Sequence, residues 1–334
     1  MANEVTNNKT EIVVEPKKKK KTSANQMLEW KKDGWKALIC LLPAMLILIL
    51  FTFYPIVNTF IVSFFPDYSY LDGSFGNFDV VRTYGKVLSD PVFWRAMLNT
   101  AIMVVVSVPL SIIIALLITV LLNSIKALQG VFQVIFFLPY VTNGIAFGIV
   151  FATIFSPENY GLINGLFKIL VQWTGDGKDI PYWAGILVIT VNAIWNGLAF
   201  KIMVFLSGIQ GIDKQYYQAA QVDSTPKWRV FTKITVPLLS PMILYITITS
   251  LMGAFKSYSS VVSLFGDGMG TLEADGAGRF ITAVGYIYEY FNSVTLDGMT
   301  EMLPIAAAAA LVLFVFIMII TFVQMWANSK KVHY

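Results

Sequence analysis

The chain has 334 residues, of which 56% are hydrophobic and only 13% charged, and its mean hydropathy is +0.67. Soluble domains lie near ~45–50% apolar and ~25% charged, so a water-soluble globule and a disordered chain are both excluded. One cysteine, Cys40, and one histidine, His333, argue against a disulfide framework, a Cys- or His-built metal site and histidine catalysis.

Residues 1–35 form a polar tail with nine lysines before or within its edge, Lys9, Lys17 to Lys21, Lys31, Lys32 and Lys36. The tail reads as disordered and cytoplasmic, and the first apolar run is too long for a cleaved signal peptide. Six stretches free of Asp, Glu, Lys and Arg follow, at 37–65, 96–125, 127–157, 180–200, 234–255 and 302–329. About 20 apolar residues carry a helix across ~30 Å of hydrocarbon. The expected fold is therefore an all-α membrane protein with six transmembrane helices, near 37–60, 98–123, 131–154, 182–210, 236–260 and 303–328. A β-barrel would alternate in strands of ~10 residues instead.

Orientation follows from Lys and Arg: sixteen fall on the side of the two termini and seven on the other. That bias places both termini in the cytoplasm, with 36–329 as the membrane-spanning domain and 330–334 as a cytoplasmic end. The external loops are then 66–96, 155–181 and 261–301. Helical periodicity over Gly161–Trp173 predicts a short helix on the membrane surface. Glycines 266, 268, 270, 276 and 278 cluster in the third loop, but no G-x-x-x-x-G-K-[ST] match occurs in the chain, so P-loop ATP chemistry is absent. No internal repeat is evident, and any pseudo-symmetric partner half must come from another chain.

Polar residues inside the spans mark candidate contacts with a solute. Counting ~1.5 Å per residue from Tyr182 puts Asn192 ~15 Å and Lys201 ~29 Å into the fourth span. Asn192 and Asn196 share a helix face with Trp195 nearby; Tyr140, Asn143 and Tyr245 fall at comparable depth. Amides beside aromatics suit a polar solute, with donors and acceptors for its hydroxyls and an apolar plane for its C–H groups. The plainer reading is interhelical hydrogen bonding. Lys201 reads as a side chain that snorkels to the cytoplasmic surface. Tyr258 and Ser259 fall near the external mouth, where they would line a gate, and Ala306–Ala310 suits close helix packing.

The cytoplasmic stretch 211–241 is the most distinctive. It predicts one helix from an Asp213 cap to about Val222, a break at Asp223-Ser224-Thr225-Pro226, and a second helix capped by Thr225 that carries Trp228, Phe231 and Ile234 on one face. Pro237 and Pro241 mark the entrance to the fifth span. Small residues beside exposed aromatics make a docking device, though a bare re-entry turn would share the pattern.

This stretch resembles the "EAA" loop of importer-type ABC permeases of the carbohydrate-uptake, maltose-type branch. The family pattern E-A-A-x-x-D-G-A stands here as Gln218-Ala219-Ala220-Gln221-Val222-Asp223-Ser224-Thr225, followed by Ile234 through Pro237 and Pro241. Leu42-Pro43-Ala44, Phe53-Tyr54-Pro55, Trp195-Asn196-Gly197-Leu198, Leu206 through Gln210 and Tyr286-Ile287-Tyr288-Glu289 extend the resemblance over most of 37–329. Two departures stand out: Gln218 replaces the family Glu and Ser224 the Gly, which argues against an obligatory positive φ at that turn. The resemblance implies a type I permease in a bacterial cell membrane, half of a translocation path for a sugar, with an oligosaccharide as the expected cargo. It implies a second permease subunit, two ATPase subunits that hold ATP and Mg, an extracytoplasmic sugar-binding protein, and no cofactor, metal or nucleic acid on this chain. Gln218, Ala219, Ala220, Asp223, Ser224, Pro226, Trp228 and Phe231 would form the ATPase contact; Tyr140, Asn143, Asn192, Trp195, Asn196, Tyr245 and Tyr258 would line the path. Two rivals stand beside this: the same machine carrying glycerol phosphate or another small polar solute, and an ATP-independent six-span channel or secondary transporter.

Overall fold

The structure, a computed structural model, describes residues 24–70, 72–125, 129–156, 161–167, 171–174, 180–297 and 302–328. The Lys17–Lys21 run, Lys126, Lys168, Lys178 and the end at 330–334 therefore lie outside the described residues. The chain divides into two compact units, Met1–Asn58 and Thr59–Tyr334. The described elements are helical, apart from a single antiparallel bridge between Leu272 and Gly278.

The first unit is built from α1 (Ala24–Leu48), a π-helical turn (Ile49–Phe53) and the start of α2 (Tyr54–Val62). The described chain is already helical at Ala24, ahead of the start near 37 expected for the first span. Gly34–Val62, which continues past the end of this unit, is apolar and long enough to cross a membrane. The wide turn has a local cause. Pro55 brings no N–H to bond the carbonyl of Phe51, and its ring would crowd that oxygen; adding a residue to the turn relieves both.

In the second unit, α3 (Val80–Ser89) is capped by Asp79, whose carboxylate accepts from Arg82 N. Asp90 then caps α4 (Pro91–Ser124) by accepting from Val92 N, with Pro91 in the first turn where its missing N–H costs nothing. At 34 residues α4 is about 50 Å long and exceeds the hydrocarbon thickness. Its main neighbour is α8 (Tyr182–Gln210), the second long apolar helix of this unit.

Two of the six expected spans are not single helices. The third is α5 (Gln129–Val141) and α6 (Gly144–Ile154), which meet at 100°. Pro139 removes a backbone donor just before the break, and the Asn143 side chain accepts from Ile145 N and starts α6 afresh. The fifth is bent by 69° at Leu239. Its approach runs through α9 (Lys214–Val222), α10 (Lys227–Val230), a second π turn (Phe231–Thr235) and α11 (Val236–Leu238), and continues as α12 (Ser240–Phe255). Among the described residues four helices are thus long and apolar enough to span alone, or up to six if each bent pair counts once.

Between α6 and α8 lies α7 (Leu162–Phe167). The expected surface helix does not reach Trp173, which is buried; its Nε1 donates to Asn164 Oδ1 and its ring packs on Phe155 and Trp183. Beyond α12, α13 (Ser259–Phe265) packs on α6, α14 (Ala283–Asp297) packs on α4, and α15 (Met302–Asn328) packs on α14 and α3. Ala306–Ala309 are buried, in keeping with their small size. The glycine-rich loop before α14 is a closed turn stitched to the bundle. Asn99 donates to the carbonyls of Arg279 and Ile281 and accepts from Tyr182 Oη, and Asp90 accepts from the hydroxyls of Tyr286 and Tyr290.

Candidate functional site

Two concavities among the described residues of the second unit bear on function. The first, about 470 Å3, sits between α4, α5, α8 and the end of α12 with the turn that follows. Ser107 and Ser111 come from α4, Tyr140 from α5, Asn196 and Lys201 from α8, Lys256 and Tyr258 from the α12–α13 turn, and Ser259 from the start of α13. Each has a structural reason to be there. Ser107 and Ser111 are one turn apart on the buried face of α4. Asn196 is one turn beyond Asn192 and donates to its Oδ1 at 3.0 Å. Phe200 stacks on Tyr140 with ring centroids 6.1 Å apart, which gives the wall an aromatic face.

Of the seven residues expected along a path, Tyr140, Asn196 and Tyr258 line this cavity. The other four do not, for separate reasons. Asn143 is spent on capping α6. Asn192 is fully buried behind Asn196, and its Nδ2 has no partner among the described residues. Trp195 lies elsewhere on α8, and Tyr245 stands behind the wall, its ring against Phe200 and its carbonyl accepting from Thr249 Oγ1. Tyr258 is held by Tyr288, whose ring lies 4.6 Å away.

Lys201 differs most from expectation. Its side chain is 6% exposed, and its Nζ folds back one turn to donate to the Gly197 carbonyl at 3.1 Å. It lines the cavity rather than snorkelling along α8 toward Gln210. Gly197 makes this possible: a Cβ there would lie 2.5 Å from Nζ. Lys256, Ser107 and Ser111 were also missed. The signal available in the sequence was the i, i+4 serine pair in an otherwise apolar span.

The second feature is the knuckle from Asp213 to Leu239. Asp213 caps α9 by accepting from Gln215 N, and α9 ends at Val222 as expected. Thr225 N–H then bonds Ala220 O and Ser224 N–H bonds Gln221 O, with Ser224 at φ +50°. This is a Schellman end with a non-glycine residue in the left-handed position. The turn therefore requires positive φ despite the serine, contrary to the inference from its replacement of glycine. Pro226, not Thr225, occupies the cap position of α10, without a side-chain bond.

The knuckle has two faces. Ala220 is buried, Tyr217 Oη pairs with Thr235 Oγ1 at 3.2 Å, and Phe231 is half-buried. These line an inner hollow of about 490 Å3 with Val120, Asn123 and Ile209. Outward lie Gln218, Ala219 and Asp223, together with Tyr216, Val222 and Trp228; Trp228 is 69% exposed although its ring leans on Phe231. Among the described residues no group of three or more His, Cys, Asp or Glu could hold a metal ion.

Long apolar helices around a hollow with polar side chains in its wall make this a multi-pass helical membrane protein. Residues 107–332 match the family described as "Binding-protein-dependent transport system inner membrane component", and the chain belongs to that family. It is a non-catalytic, inner-membrane permease component of such a system. The lactose transport system permease protein LacF of Rhizobium radiobacter is 30% identical over 306 residues, covering 90% of this chain and 95% of LacF. The sulfoquinovosyl glycerol transport system permease protein SmoG of Agrobacterium fabrum is 28% identical, covering 72% of this chain and 77% of SmoG. A chain of a bacterial alginate ABC transporter, crystallised with an alginate pentasaccharide-bound periplasmic protein, shares the fold with a TM-score of 0.70 at 19% identity, covering 91% of this chain and 96% of that one.

Proposed function

We propose that this chain forms half of the translocation path of an ATP-driven saccharide importer, with the first cavity as part of the path and the knuckle as the contact for a separate cytoplasmic ATPase. The observation that carries the reading is the two-faced knuckle. Its inner side chains, Ala220, Tyr217 and Thr235, are consumed in holding its shape, while Tyr216, Ala219, Val222 and Trp228 are presented outward and exposed. A rigid, capped element with spare apolar side chains is what a lever needs to pass a partner's motion to the spans. Both termini and the knuckle lie in the cytoplasm on this reading, supported by the sixteen-to-seven bias of Lys and Arg. A second permease half, two ATPases holding ATP and Mg, and an extracytoplasmic binding protein complete the machine. Related permeases named for lactose and sulfoquinovosyl glycerol support a saccharide cargo.

The test is Ala219→Trp in the assembled transporter. Ala219 is exposed, so insertion and thermal stability should be kept, while uptake falls at least tenfold and ATP hydrolysis loses its dependence on solute. Normal uptake in that variant rejects the reading. So does labelling of Ala219→Cys, in a Cys40→Ala background, only from outside the cell.

A further inference from the structure

The cavity described above carries two ammonium groups, Lys201 and Lys256, and no carboxylate lines it among the described residues. Lys201 is almost entirely removed from solvent, and the hydrogen bond described for its Nζ goes to a neutral carbonyl. A buried cation with only a dipole for company is poorly compensated, and an ionisable group held within a membrane bundle marks a functional position. Lys256 follows the last residue of α12, its own N–H bonded to Gly253 O, where the negative end of the helix favours a cation. Asp267 and Glu289 are within electrostatic reach of Tyr258 but do not line the cavity. The rest of the wall suits a sugar: serine hydroxyls from α4 and from the α12–α13 turn, the Asn196 amide, and the Tyr140–Phe200 stack.

We propose that this cavity selects an acidic saccharide, one bearing a carboxylate or sulfonate, with Lys201 and Lys256 as the specificity-determining residues. The proposal rests on the cavity being part of the path. The neutral groups would hold the ring and hydroxyls, and the two ammonium groups would make the hollow attractive to anions and repellent to cations before any direct contact forms.

The charge can be read without the natural cargo. In the full chain in nanodiscs, Cys40→Ala removes the single native thiol, and Ser257→Cys puts one on the cavity wall. Its rates of modification by an anionic reagent (sulfonatoethyl methanethiosulfonate) and a cationic one (trimethylammonioethyl methanethiosulfonate) are then compared with those of glutathione. The anionic-to-cationic ratio should exceed the free-thiol ratio by about tenfold, the low end of charge focusing in a cleft. Lys201→Met with Lys256→Met should abolish the excess. Lys256→Met alone, at an exposed side chain, should lower it at least twofold and guards against misfolding of the double variant. Trigalacturonate should slow modification at a concentration at least tenfold below that needed of maltotriose. A ratio unchanged by the lysine variants overturns the proposal, as does equal protection by the two sugars, or protection by glycerol 3-phosphate but not by trigalacturonate. If neither reagent reaches the cysteine, the cavity is dry, and both this proposal and its role as a path fall. The Ala219→Trp test is independent: its failure rejects the importer reading and leaves the reagent ratio unaffected.

Discussion

Arg95 and Asp275 are 180 positions apart in sequence and share a two-pronged ion pair, with guanidinium nitrogens 2.8 and 3.0 Å from the carboxylate oxygens. The pair fastens the loop before α14 to the first turns of α4. The Arg95 hydrogen bond is the leading cause that holds the Asp275 carboxyl below the usual carboxylate range, with the Ala277 N–H helping. Its stabilisation is therefore complete above the ordinary aspartate pKa and is lost as pH falls through the lowered folded value. Asp275→Asn is expected to cost about 1 kcal/mol or less at neutral pH, because the pair is part-exposed, and to flatten the acid limb of the stability curve. Thermal unfolding of both proteins in detergent between pH 7 and pH 3 reads the difference; parallel acid limbs would assign the loss of stability to other groups.

Ser224 occupies a backbone conformation that L side chains avoid, at φ +50°. Ser224→Gly should relieve about 1 kcal/mol and raise the melting temperature, whereas the β-branched Ser224→Val should lower it. A melting temperature unmoved by Ser224→Gly would show that the turn carries no strain.

Asn99 is buried and makes three bonds at once, to the carbonyls of Arg279 and Ile281 and to Tyr182 Oη. Asn99→Leu keeps most of the volume but orphans all three, for an expected loss of about 3 kcal/mol. Tyr182→Phe removes one of the three and should lose about 1 kcal/mol. Denaturant titration in mixed micelles ranks them; equal losses would mean that the two loop carbonyls find other partners.

Gly185 faces the ring of Phe280, which is fully buried, and an added methyl would overlap it. Gly185→Ala is expected to cost about 1–3 kcal/mol, as overpacking does. Adding Phe280→Leu should recover part of that loss, a coupling that a double-mutant cycle measures directly. Strict additivity would rule out this contact as the cause.

What the sequence revealed follows a physical divide. Charge-free runs announced α4, α8 and α15, because the length of apolar helix is a one-dimensional property. The extent of α9 was equally readable, since Asp213 caps it locally and Asp223 closes it. The break at Thr142–Asn143 was not. An asparagine in an apolar run reads the same whether it faces a solute or caps a new helix, and the latter depends on Pro139 having already weakened the turn before it. The direction of Lys201 was hidden for a similar reason. Depth arithmetic locates its Cα, but the course of its side chain is decided by the space that Gly197 leaves one turn back. Three members of the cavity, Tyr140, Asn196 and Tyr258, were legible as polar or aromatic outliers; Lys256 was not, because at the outer end of the expected fifth span it counts with the basic residues of the external side.

The wide turn at Phe231–Thr235 sits two residues ahead of Pro237, as the one at Ile49–Phe53 sits ahead of Pro55. An α-helix advances ~100° per residue, so the supernumerary residue in such a turn sets the azimuth of everything upstream of it relative to everything downstream. Trp228 is upstream and α12 downstream. The compass bearing on which the tryptophan leaves the bundle is therefore written into that one extra residue, and trimming it would swing the ring by more than a quarter turn while shortening the chain by only ~1.5 Å.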